Sequence, residues 1–262
     1  MKVIIFLFGY ILCIATAVLS VMGVSDDSPL LRQVGQGTIV ELIGCVVIVG
    51  LYYGFIRKQS VKTFSVSLPS KKLIAIALLL CPFICFIRVM FAYGKWDELF
   101  ILNADYTWQE VLETLALIPF VALLAPIVEE FGMRVYSITP FETKTGRIVA
   151  AIMTSLLFSF MHISRWKIVF AAGLVYTLIL LISKNVWLSV TFHIGNNLAT
   201  ILIPAFSGIY ILIVPNAKYG IVDTPIPIVI IMAVMFVVGL YMAVIEMKKM
   251  GIKEIIKRFR EI

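Results

Sequence analysis

Residues 111–138 read VLETLALIPFVALLAPIVEEFGMRVYSI, an apolar run with Glu113 near its start and Glu129, Glu130 and Arg134 near its end. As an α-helix rising about 1.5 Å per residue, the run reaches roughly 40 Å, enough to cross a hydrocarbon core of about 30 Å. Pro126 stands just before the paired glutamates. It withholds a backbone N–H and kinks the helix, opening room for water beside the charges. An ionisable group inside a span costs roughly 2.5 to 3.5 kcal/mol on insertion scales, so a cluster of them demands partners and points to a role.

Outward from this stretch the pattern repeats. Apolar runs extend from Val3 to Gly23, Thr38 to Ile56, Lys72 to Tyr93, Ile148 to Ile163, Ile168 to Ile182, Val186 to Phe206 and Ile226 to Met247. The chain of 262 residues is 61% hydrophobic and 14% charged, with a mean hydropathy of +1.05, which excludes an ordinary soluble domain. The fold class expected is all-α: a polytopic membrane bundle of about eight transmembrane helices, one domain over residues 1–262. The first run follows Lys2 and lacks a small-x-small cleavage site before Ser25, so it reads as a retained helix and not as a secretory signal. Cys13, Cys45, Cys81 and Cys85 all fall inside spans, where thiols act as small apolar residues; metal ligation by Cys81 and Cys85 is the weaker alternative.

A net charge of +7 could suggest nucleic acid, but the basic residues flank apolar spans and report topology instead. With the N-terminus inside, fifteen Lys and Arg fall on the inner side and five on the outer, while Arg88 and Arg134 lie within spans. Both termini are therefore expected in the cytoplasm. After Lys248, Ile252, Ile255, Ile256 and Phe259 alternate with basic residues, as in a short helix lying on an anionic leaflet or a plain basic stop. Trp96, Tyr106, Trp108, Trp166 and Trp187 lie near span ends and read as an interfacial belt. Arg88, Glu41 and Glu113 read as structural pairs or interface groups.

On helical spacing Glu130 and Arg134 share a face and pair, while Glu129 points about 100° away toward another helix. The whole chain has two histidines, His162 and His193, and both fall in spans. A single buried histidine is more often structural than catalytic. Here, however, His162 follows Phe158 by four residues and Asn197 follows His193 by four, so each pair shares a helix face. A hairpin turning at Thr145 and Gly146 would put Glu129 level with His162.

One carboxylate and two imidazoles around a wet pocket can activate water against an amide. Glu129 is the expected general base, His162 its partner on the water, and His193 with Asn197 the stabilisers of the oxyanion. Glu130 and Arg134 form the supporting pair. The same Glu129, His162 and His193 also match the ligand set of a catalytic zinc site, so the cofactor is either none or a divalent metal such as Zn. No HExxH helix is present.

At these residues the chain resembles the type II CAAX prenyl endopeptidases and their bacterial relatives, the CPBP or Abi proteases. Glu129, Glu130 and Arg134 match EExxxR, Phe158 and His162 match FxxxH, and His193 and Asn197 match HxxxN. The resemblance covers about residues 111–205. It implies an eight-helix bundle with catalytic groups on helices four, five and seven, acting as an endopeptidase on a membrane-associated peptide or protein. It also implies a bacterial cytoplasmic membrane and work such as bacteriocin processing, self-immunity or pheromone maturation. Two other classes stay open: a non-catalytic immunity or scaffold protein of the same fold, and a proton-coupled transporter, for which no inverted repeat speaks. The expected partners are that substrate and the lipid bilayer, with no nucleic acid.

Overall fold

A computed structural model describes residues 2–21, 30–56, 64–92, 107–141, 143–162, 166–214 and 224–250. Every expected span is a helix: α1 Lys2–Val21, α2 Leu30–Leu51, α3 Lys71–Ala92 and α4 Trp108–Ile138. They are followed by α5 Lys144–Phe160, α6 Trp166–Ser183, α7 Val186–Ile213 and α8 Ile226–Met250. Five of the helices are long and apolar enough to cross a membrane. The surface is inverted relative to a soluble protein. Ile39, Leu42 and Ile43 on α2 and Ile230, Ile231 and Val234 on α8 are exposed, while Glu130, Arg134, Ser155, Ser189 and His193 are buried. Lipid accepts the first set and the interior must satisfy the second, which is the arrangement of a helical membrane bundle.

Helix α4 lies at the centre and is the least regular. It begins with a capping box, in which Thr107 Oγ1 accepts from Glu110 N–H at 3.2 Å and Thr107 N–H donates to Glu110 Oε2 at 2.8 Å. It then alternates, with π-helix over Ile118–Leu124, α-helix over Ala125–Glu129, π-helix over Glu130–Val135 and α-helix again over Tyr136–Ile138. Pro126 explains part of this. Ala125 N–H reaches back to Phe120 O in the wide register, so the next donor in that register would be residue 126, and proline has none. The carbonyl this leaves over, Val121 O, accepts from Asn197 Nδ2 on α7 at 3.0 Å.

Other helices add donors of their own to α4. Cys45 Sγ on α2 lies 3.4 Å from Leu124 O, and Cys13 Sγ on α1 lies 3.3 Å from Val128 O. Thr154 Oγ1 on α5 donates to Met133 O. The four cysteines are buried and form no disulfide, and Cys13 and Cys45 also serve as weak donors to an interrupted backbone ladder. The spans without a sequence signature, α1 and α2, thus help α5 and α7 to hold the irregular helix. Gly132 allows the closest approach: a Cβ there would sit 2.9 Å from both Gly9 O on α1 and Ile48 Cδ1 on α2. One turn on, Tyr136 Oη donates to Ile48 O at 2.6 Å.

The turn from α4 to α5 closes with Thr143 as N-cap, its hydroxyl accepting from Gly146 N–H at 3.1 Å. The Thr154 to Met133 bond ties the two arms of this hairpin together. At the start of α7, Asn185 caps the helix through Leu188 N–H at 3.0 Å and pairs as an isolated parallel bridge with Ser65. Helix α3 packs on α7, where Cys81 Sγ approaches Phe192 O at 3.5 Å beside Gly195, and α8 closes over α3 with Gly239 against Leu79 and Leu80. The basic C-terminal stretch, Trp96, Tyr106 and the side chain of Arg88 lie outside the described residues. Trp108 and Trp166 are exposed at helix starts, whereas Trp187 turns inward with its ring 5.8 Å from that of Phe131.

Candidate active site

The α-to-π junction of α4 falls between the two glutamates, and the two carboxylates meet one imidazole from α7. Glu129 Oε2 is 3.4 Å from His193 Nε2, and Glu130 Oε1 is 2.9 Å from His193 Nδ1. Their environments differ. The Glu129 side chain keeps 18% of its surface accessible, while those of Glu130 and His193 keep 1% and 5%. Glu129 is the group a substrate could reach; Glu130 is sealed behind it.

Glu130 is surrounded by donors. Arg134 Nη1 lies 3.1 Å from Oε1, an ion contact without an aligned hydrogen bond, and Ser189 Oγ lies 2.7 Å from Oε2. The Glu130–Arg134 pair expected from spacing is present. Spacing alone does not show its second task, which is to hold His193. Arg134 is wholly buried, its guanidinium carbon 4.2 Å from the centre of the Phe158 ring and 5.8 Å from that of Tyr176. Gly173 on α6 makes room for it, because a Cβ there would stand 3.3 Å from Arg134 Nη2. Two carboxylates thus face one fixed cation, Arg134. Bringing these charges together with hydrogen bonds is what makes their burial tolerable.

His162 follows the last residue of α5, half-buried, with Nδ1 3.1 Å from Phe158 O and its ring 4.9 Å from the Phe158 ring. His193 approaches that phenyl at 5.9 Å, edge to face. Phe158 therefore stands beside both imidazoles and Arg134. His162 contacts Phe158, and His193 touches both glutamates. Asn197 holds α4 at Val121 O with one of its two amide hydrogens and accepts from Asn196 Nδ2 at 3.2 Å. Asn197→Ala is expected to leave the Val121 carbonyl without that donor and to lower thermal stability by about 1 to 3 kcal/mol, read as a fall in unfolding midpoint. An unchanged midpoint would show that α4 does not depend on this bond.

The zinc alternative fits poorly. Among the described residues no three His, Cys, Asp or Glu side chains are placed to hold a metal ion. His193 Nδ1 is engaged by Glu130 and its Nε2 faces Glu129.

Two neighbours carried no notice in the sequence. Ser189 is four residues before His193, so Ser189, His193 and Asn197 share one face of α7, a spacing that could have revealed it. Tyr176 on α6 stacks on His193 with ring centres 4.5 Å apart and planes inclined by 20°. No spacing signal marks it.

Glu41, read as structural, is buried on α2, and Glu113 accepts from Gln109 Nε2 at 2.9 Å.

Comparison with curated proteins and with solved structures found no match. A protein-family model does match residues 111–199, the segment from the start of α4 through most of the α7 face that carries Ser189, His193 and Asn197. The family described by that model, "Rce1-like: Type II CAAX prenyl endopeptidase Rce1-like", is consistent with the CPBP family that the three motifs of this segment resemble.

Proposed function

We propose that the protein is an intramembrane endopeptidase that cleaves a peptide bond in a membrane-associated peptide or protein, with Glu129 activating the water. At the family level the match over residues 111–199 supports a CAAX-type membrane protease. The observation that carries the finer reading is the meeting of Glu129 and His193, 3.4 Å apart, with the far nitrogen of the ring tied to buried Glu130. A base, a ring and a partner that orients the ring are the parts general-base hydrolysis needs.

In this mechanism Glu129 takes a proton as water oxygen bonds to the substrate carbonyl carbon. The carbonyl π electrons move onto oxygen, and the second Asn197 amide hydrogen stabilises that oxyanion, while His193, its Nδ1–H given to Glu130, holds the water by accepting its other hydrogen at Nε2. As the C–N bond breaks, the proton lodged on Glu129 passes to the leaving amine with His162 as relay. Glu130 and Arg134 stay charged throughout and hold the ring in place. Both termini lie in the cytoplasm, and the substrate enters from the bilayer.

The test uses the purified protein in lipid nanodiscs with a quenched fluorogenic peptide ending in a farnesylated Cys-aliphatic-aliphatic-X sequence, beside its unprenylated twin. Cleavage of either that persists in a strong chelator supports the proposal. Stable inertness toward both, together with a cellular phenotype that survives Glu129→Ala, would favour the scaffold or immunity reading.

A further inference from the structure

The protease reading assigns no role to Ser189 or Tyr176, although both are buried at the cluster. Ser189 Oγ stands 2.7 Å from Glu130 Oε2 and 2.9 Å from the carbonyl oxygen of Tyr176. One hydroxyl therefore joins three helices: α7, which carries it, α4 through Glu130, and α6 through the backbone of Tyr176. The Tyr176 ring then covers one face of His193. We propose that Ser189 and Tyr176 are positioning residues that fix the orientation and tautomer of His193, so that Nε2 is presented to Glu129. This rests on the protease reading for its catalytic meaning but not for its geometry.

A histidine ring can turn about its bond to Cβ, and turning it over puts Cδ2 where Nδ1 stood and Cε1 where Nε2 stood, so that Nδ1 leaves Glu130 and the ring proton is free to exchange between the two nitrogens. Three contacts oppose that motion. Glu130 Oε1 accepts from Nδ1, Tyr176 stacks on the ring face, and Phe158 meets it edge-on. Glu130 can do this only while its own carboxylate is prevented from rotating. Arg134 restrains Oε1 and Ser189 restrains Oε2, the second oxygen. Removing the Ser189 hydroxyl leaves a buried carboxylate oxygen without that donor, and the carboxylate then gains by turning toward Arg134 and releasing Nδ1. Tyr176 acts by a different route, through the area of its ring. A substitution that keeps the ring should therefore keep the effect.

The chain has two histidines, so labelling histidine with nitrogen-15 produces only two imidazoles, and His162→Gln assigns them. In wild-type protein in nanodiscs, His193 is expected to show one fixed tautomer with a hydrogen-bonded Nδ1–H. Ser189→Ala should average its two nitrogen signals, and Ser189→Thr, which retains the hydroxyl, should keep them separate. Tyr176→Leu should average them as well, while Tyr176→Phe should not. In the peptide assay, Ser189→Ala should lower kcat about tenfold or more at an unchanged KM and alter the pH profile of kcat. A merely structural serine would change the yield of folded protein without moving these readouts. A folded Ser189→Ala protein with the wild-type His193 spectrum would overturn the positioning role, whatever the peptide assay gives. Failure of the protease reading would instead appear as a stable protein inert toward both peptides, with a cellular phenotype that survives Glu129→Ala and His193 spectra that still report on Ser189.

Discussion

Glu129→Gln lowers kcat/KM for peptide cleavage by roughly 100- to 10,000-fold, the span that loss of a positioned general base produces. The amide is nearly isosteric with the carboxylate, so packing around it is kept and the change is chemical. Glu129 is the more accessible of the two glutamates, and among the described residues its nearest ionic partner is His193. Its removal is therefore expected to cost little stability, about 1 kcal/mol or less in thermal or denaturant unfolding. The loss should fall on kcat, because the proton leaves water only as the transition state forms. His193→Ala should match it in direction and be less stable, since it also strips Glu130 of a donor. An active Glu129→Gln enzyme would place the base elsewhere in the chain.

Arg134→Met produces the largest loss of stability, about 3 to 5 kcal/mol, the cost of removing one partner from a buried ion pair. Methionine fills much of the same volume, so the cost arises from charge and not from a cavity. Glu130 would remain fully buried with, among the described residues, His193 and Ser189 as its neighbouring donors. The measurement is the unfolding midpoint in detergent, or the yield of inserted protein where the variant is too unstable to purify. Arg134→Lys should recover only part of the loss, because an ammonium group lacks the planar surface that lies 4.2 Å over Phe158. The double variant Glu130→Gln with Arg134→Met should regain stability over Arg134→Met alone, since it removes the stranded charge. If Arg134→Met unfolds like the wild type, the pair is not holding α4.

The bundle itself was legible in the sequence because lipid imposes a length and an apolar composition on each span, and all eight runs became helices. The Glu130–Arg134 pair was legible because its spacing is local. A partner for Glu129 on another helix was also foreseen, since a carboxylate facing away from its neighbour needs one, and His193 stands there. Less could be read where the structure depends on departures from regular geometry. The π segments on either side of Pro126 exist together with donors from other helices, Asn197, Cys45, Cys13 and Thr154, and no spacing within α4 encodes those. Ser189 and Tyr176 passed unnoticed because an isolated hydroxyl or ring in an apolar span looks like ordinary core. Their importance comes only from the helices that tertiary packing brings beside them.

Most directly, the central claim can be tested by an experimental structure of the protein in lipid at a resolution that places ordered water. The account requires one water within hydrogen-bond distance of both the Glu129 carboxylate and His193 Nε2, on the side open to substrate. A dry Glu129–His193 contact, with the nearest solvent beyond Phe158 and out of reach of either group, would contradict it.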